Sequence, residues 1–357
     1  ETEFHGDGSY EHYFFNDVAN SNDGYDGLIQ YRVEAHTPLY KLGGHDGRLV
    51  TRMQGFGYLD DDIGDFLDDP LIELPEIFVQ DDFKVFGHDS SFVAGKFAVR
   101  RFFAKNEIVA DPFDIGESSY FGSPANSLKP LNFLNMMRAD GDLSPDPVIS
   151  PNVFTGSYGF MYSIKDNDGD KFWTDGWGFK QALLTNKVEN LGDNFFSVTE
   201  LNKNWGKKYP GYSATGVVFG QGDVLPQPGK ALGDPGGVIM LYSSLVQRIK
   251  RADLYYHLTK FYQTSATQEE FSTIFFNIGG YYNFKNSDRA GFHGLWWQNQ
   301  FNRRSPICFI ADYVHNFSDN VFGSLYSIYY YDFPNPTLDT YESDNSFSFG
   351  GALTYHF

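Results

Sequence analysis

The sequence predicts an all-β fold, a transmembrane antiparallel up-and-down barrel of about 16 strands, within a range of roughly 14 to 18. Four observations predict it. Segments of about ten residues with apolar side chains at every second position recur along most of the chain, which is the spacing of strands half-exposed to lipid. The composition has 18% aromatic residues, with 36 Phe and 24 Tyr, yet only 41% hydrophobic residues overall. No run of about 20 apolar residues is available for a membrane-spanning helix. The final stretch alternates without a break: Phe347, Phe349, Gly351, Leu353, Tyr355 and Phe357 share one phase, with Ser346, Ser348, Gly350, Ala352, Thr354 and His356 on the other.

The elements follow in order. Residues 1–26 are polar and rich in Gly, Asn and Asp, and are expected to be a flexible lead-in. Ile29, Tyr31, Val33 and Ala35 then alternate with Gln30, Arg32, Glu34 and His36. Further strands are expected near 47–59, 72–84 and 91–101. Phe154, Gly156, Tyr158, Phe160 and Tyr162 mark the next, followed by segments near 171–185, 193–204, 211–221, 236–249 and 253–264. Ile274, Phe276, Ile278, Gly280, Tyr282 and Phe284 give the clearest alternation, and 290–302, 306–317 and 321–333 precede the terminal strand. Because bacterial single-chain barrels have an even number of strands, one more is expected, either within the lead-in or near 130–138.

Connector lengths imply two unlike ends. Those near 165–170, 250–252, 286–289 and 318–320 are short and expected on the periplasmic side; those near 105–150, 222–235 and 334–344 are longer and expected outside. The short connector near 303–305 departs from this pattern. The segment 105–150 carries Pro112, Pro124, Pro130, Pro145 and Pro147 and a helix-like piece around Leu131 to Arg138. Structureless loops of such length are usually functional or disordered, and this one is expected to fold toward the lumen. The domain reading is a lead-in over 1–26 and a single barrel over 27–357.

The formal charge of −19 argues against a nucleic-acid partner. Cys308 is the single cysteine, so neither an internal disulfide nor a zinc cluster of cysteines is available. Residue 1 is Glu, which reads as a mature chain after loss of a signal peptide. The aromatic last residue, preceded by apolar residues at alternate positions, resembles the recognition signal of bacterial outer-membrane β-barrels. That implies a Gram-negative outer membrane, with its lipid, lipopolysaccharide and barrel assembly machinery as partners.

A second resemblance lies between Leu74 and Asp111, where L-P-E-I-F-V-Q-D-D-F is followed by F-V-A-G-K-F-A-V-R-R-F-F-A-K-N-E-I-V-A-D. This stretch is similar to the carbohydrate-selective porin family, with Gly95, Lys96, Phe97, Phe102, Phe103 and Asn106 as the matching positions. The resemblance implies a monomeric or trimeric barrel that passes sugars down a gradient. The C-terminal third matches barrels only in general.

Charged side chains cannot cheaply face lipid, so Gln30, Arg32, Glu34 and His36, and Arg52 and Gln54, are expected to point into the lumen. Arg100 and Arg101 are adjacent, and a regular strand would turn at most one of them inward. Together with Arg138 from the long loop, one of them is expected to face Glu107, Asp111 and Asp114 across a constriction, giving a transverse field that orients polar solutes. Trp177 and Trp296 are the candidates for stacking on a sugar, against the ordinary placement of Trp in interface girdles. No metal site is expected; the weak candidates are Asp60, Asp62 and Asp65 in an acidic run. Asp166, Asp168 and Asp170 in D-N-D-G-D read as a hairpin turn.

No cofactor motif is found. G-x-S-x-G and H-E-x-x-H are both absent, so catalysis is not expected. The function read from the sequence is passive diffusion of small polar solutes, sugars first. The alternatives are a general cation-preferring porin and a barrel sleeve around a partner such as an electron-transfer protein.

Overall fold

Alternation becomes hydrogen-bonded strand close to where it is expected. The computed structural model describes residues 1–17, 22–59, 71–97, 99–103, 157–165, 175–185, 195–206, 208–222, 236–263, 271–285, 288–299, 307–334 and 343–356. Among them lie β1 (Glu3–Asp17), β2 (Asn22–Leu42), β3 (His45–Leu59), β4 (Leu71–Val85), β5 (His88–Phe97), β6 (Ser157–Lys165), β7 (Gly176–Thr185) and β8 (Phe195–Trp205). The second half holds β9 (Gly211–Gly222), β10 (Gly236–Ile249), β11 (Ala252–Gln263), β12 (Phe271–Asn283), β13 (Arg289–Asn299), β14 (Ile307–Asn316), β15 (Val321–Pro334) and β16 (Ser343–His356). One short helix, α1 (Val99–Phe102), follows β5.

Each strand pairs antiparallel with its sequence neighbours, and β1 pairs with β16 to close the barrel. Closure follows from the solvent: an open sheet edge in hydrocarbon would leave a row of backbone N–H and C=O groups without partners. The sixteenth strand comes from the lead-in. Residues expected to be flexible form β1 and the start of β2, paired from Glu3 opposite His36 to Asp17 opposite Asn22. Their polar composition hid a strand whose backbone the closed barrel requires.

The two faces of the wall invert the usual soluble arrangement. Phe92, Phe160, Leu183, Phe219, Leu241, Leu258, Ile278, Phe292, Leu325 and Phe349 stand outward with 40–66% of their surface exposed. The opposite phase is buried in the interior and includes Glu76, Glu200, His257, Thr259, Asn277 and His293 beside Val198, Val218 and Met240. A lipid solvent accepts the first set, and only an interior with polar partners accepts the second.

The ends differ as expected. Two-residue turns join β2 to β3 and β4 to β5, at the end where β1 begins and β16 finishes. Gly43, Gly44, Phe86 and Gly87 all have positive φ, from 51° to 86°, the backbone that tight hairpins with a right-handed twist need. The connectors spanning 60–70, 223–235 and 335–342 join strands at the opposite end.

One expected strand stops early. The segment read as 91–101 leaves the wall at Phe97 and turns into α1. Gly95 has φ +138°, and a Cβ there would lie 2.5 Å from the Ile77 carbonyl oxygen. Only glycine lets β5 press this closely on β4 just before the chain turns inward. The long segment 105–150, its expected helix, and the D-N-D-G-D and Asp60–Asp65 runs lie outside the described residues.

Candidate functional site

Strand register places three charges in a row on the inner face. Glu34 of β2 is directly opposite Arg52 of β3, which is directly opposite Glu76 of β4. Arg52 Nε lies 3.2 Å from Glu34 Oε2 and 2.9 Å from Glu76 Oε2. One arginine between two carboxylates leaves a net negative charge in a buried position, and α1 supplies the missing cation. Arg101 donates to both oxygens of Glu34, at 2.5 and 2.7 Å, and through Nη1 to Glu76 at 3.0 Å. This two-pronged geometry suits guanidinium and carboxylate. Its guanidinium also stands 5.2 Å from the Phe78 ring centre. Burial works against the charge of Arg101, but the hydrogen bond to Glu34 and the neighbouring Glu76 carboxylate outweigh it and raise its pKa above the ordinary value. His36 is hydrogen-bonded to the same Glu34.

The far side of α1 is held by the next wall. Lys180 of β7 donates to the Phe102 carbonyl oxygen at 2.5 Å and lies 3.5 Å from Glu200 of β8, its register partner. Glu200 in turn accepts from Tyr242 at 2.8 Å and from Asn202 at 3.4 Å. Between these polar grips Phe102 packs edge-on against Phe78 and Phe97, with ring centres 5.8 and 5.5 Å away. The segment entering the long connector is therefore fixed against the inner wall from β2 round to β8.

A second inner network lies on β11–β14. Asp312 is 2.7 Å from His293 Nε2, and His293 Nδ1 is hydrogen-bonded to the Tyr255 hydroxyl. Gly291 and Gly279 make room for it: a Cβ at Gly291 would meet Asp312 Oδ2 and His293 Nε2 at 2.5 Å. Arg289 covers the neighbouring Tyr281 ring at 4.3 Å.

Of the residues singled out from sequence, Glu34, Arg52 and Arg101 come together. Arg101 does so from a helical turn, not from the strand expected at 91–101, so alternation does not govern it. The side chains of Gln30, Arg32, Gln54 and Arg100 lie outside the described residues, as do Glu107, Asp111, Asp114 and Arg138. The two stacking candidates fall on the wrong face. Trp177 is 39% exposed and shares the outward phase with Leu183; Trp296 pairs with Phe276 and shares the phase of outward Phe292. Large amphipathic rings on the outer surface fit the interface belts of barrels, so neither can stack on a solute in the lumen. Lys96, from the porin-like stretch, is also outward, beside Tyr158 and bonded to the Leu74 carbonyl at 3.1 Å.

Sequence reasoning missed Glu76, Lys180, Glu200, His293 and Asp312. Phase could have found Glu76, which precedes the outward Ile77 and Val79 by odd steps along the strand. Its partners could not be found without the register.

No protein-family model matches the chain, and no curated protein matches it in sequence. Solved structures do match. OprB of Pseudomonas putida, in a high-pH structure, has a TM-score of 0.65 at 13% identity, covering 100% of this chain and 94% of that one. The fold is porin-like. An anion-selective porin from Comamonas acidovorans follows at 0.62 and 11%, covering 100% of this chain and 99% of that one. OmpT, an outer membrane protein of Vibrio cholerae, gives 0.58 and 11%, with the same coverage. At these identities the likeness is one of architecture, and it agrees with the fold class that alternation predicts.

Proposed function

We propose that this chain is an outer-membrane porin of a Gram-negative bacterium, a passive channel and not an enzyme, with sugars as its main solutes. The observation that carries the reading is the fixing of α1 inside the barrel by Arg101, Phe102 and Lys180. A channel needs its lumen narrowed at a defined place, and α1 directs the chain entering 105–150 to the inner wall. A sleeve for a partner protein would need that interior free. The lipid-facing aromatics support the location, and the alternating C-terminal strand supports delivery by the barrel assembly machinery.

The sugar assignment rests on the resemblance of residues 74–111 to carbohydrate-selective porins. Paired charges on the inner wall support it as well. Glu34, Arg52, Glu76 and Arg101 largely cancel one another, so they offer neutral solutes a ladder of donors and acceptors without a strong single-sign barrier.

Planar-bilayer recording of the refolded protein tests this reading. The expected result is steady conductance in a salt gradient that falls when a sugar is added. Cation preference without sugar block would leave a general acidic porin, and insertion without conductance would favour the sleeve.

A further inference from the structure

The start of β1 and the lower part of β2 each carry the pattern Glu-x-His: Glu3-Phe4-His5 and Glu34-Ala35-His36. Period-2 geometry puts both members of each pair on one face. Antiparallel register then sets them crosswise, with Glu3 opposite His36 and His5 opposite Glu34. The result is a square of two imidazoles and two carboxylates on the inner phase. It lies at the barrel end that carries both chain termini, where β1 runs on past the last residue of its pairing with β16.

We infer that this square holds a divalent transition metal ion of the zinc class, with Glu3, His5 and His36 as ligands. One ligand atom from each of the three lies within 4.8 Å of the others. The His5 and His36 ring centres are 5.2 Å apart, and His5 Nε2 is 3.9 Å from Glu3 Oε2. Two imidazoles and one carboxylate form a donor set that zinc favours, with a further position left for water or a solute. Glu34 takes the supporting part. It is committed to Arg52 and Arg101, and it is hydrogen-bonded to Nε2 of His36, so Nδ1 is the nitrogen left for the metal. A carboxylate behind a ligating histidine fixes the ring and raises its basicity. Glu3 and His5 are open to solvent, with side chains 74% and 60% exposed, so an ion can enter. The bound cation would sit at the opening of the lumen and couple directly to the charge row behind it.

The test is calorimetric titration of zinc ions into the refolded full chain in detergent micelles, with H5Q, E3Q and H45Q variants. Heat-modifiable gel mobility reports that each variant keeps the barrel. The expected result is one tight site, weakened about tenfold or more by H5Q and by E3Q and unchanged by H45Q, whose imidazole neighbours Asp81 elsewhere. X-ray absorption at the zinc edge should show two imidazoles in the parent and one in H5Q. Equal affinity in the parent, H5Q and E3Q, equal loss in H45Q, or no binding by the parent would each overturn the inference. Because binding is read on the barrel whether or not it conducts, the outcome is independent of the channel reading. If the channel reading holds as well, zinc added on the terminus side should lower conductance in the parent and leave H5Q unaffected.

Discussion

The inner wall has two regions built on opposite principles. From β2 to β8, charges are satisfied by a segment that comes from outside the local strands: Arg101 and Phe102 of α1 complete what Glu34, Arg52, Glu76 and Lys180 leave open. From β11 to β14, among the described residues, the Asp312–His293–Tyr255 chain is satisfied by side chains of the strands themselves, seated over Gly279 and Gly291. The first region ties the wall to a distant part of the sequence and so can govern what passes. The second stiffens the wall and depends only on register.

Removing Arg101 should break the contrast most sharply. In R101A Glu34 and Glu76 lose the guanidinium they share, and removing one partner of a buried ion pair typically costs about 3–5 kcal/mol. Urea unfolding of the barrel in lipid vesicles should show that loss. Single-channel conductance should rise as α1 comes away from the wall; an unchanged conductance would mean that α1 does not narrow the path.

On the other side, H293A should cost about 1–3 kcal/mol by leaving Asp312 and Tyr255 without their shared partner. Conductance should stay near that of the parent, because among the described residues no inserted segment rests on this region. A large change in conductance with little loss of stability would reverse the roles assigned to the two walls.

G291V places a side chain where Asp312 and His293 already sit, and overpacking of this kind typically costs about 1–3 kcal/mol. The loss should shrink when G291V is combined with H293A, since the smaller residue frees space; a double-mutant cycle in urea reads this coupling.

K180M probes the other grip on α1. Phe102 loses the donor to its carbonyl and buried Glu200 loses the cation 3.5 Å away while keeping hydrogen bonds from Tyr242 and Asn202, a cost of about 3 kcal/mol. A modest rise in conductance, less than in R101A, would rank the two grips on α1.

Much of the barrel was legible in the sequence because hydrocarbon is an intolerant solvent. An outward polar residue or an unpaired backbone group is costly there, so alternation marks the middle of β2 and marks β3–β16 within about five residues. The candidate site was legible only in part. Phase marked Glu34 and Arg52 as inward, but two features were out of reach. The chain leaves the wall after Phe97, where Gly95 approaches β4, and no alternation pattern encodes that exit. Trp177 and Trp296 admitted a sugar-stacking reading beside the stronger girdle reading until strand phase put both outside.

The sequence alone therefore determined the class of the fold, the run of strands and which side chains avoid lipid, since these follow from local spacing and the solvent around it. Tertiary structure decided which charges meet. The row Glu34–Arg52–Glu76, the crosswise pairing of Glu3-Phe4-His5 with Glu34-Ala35-His36, and the arrival of Arg101 all depend on register and on a turn into the lumen. A shift of one residue along any of these strands would exchange their inner and outer faces.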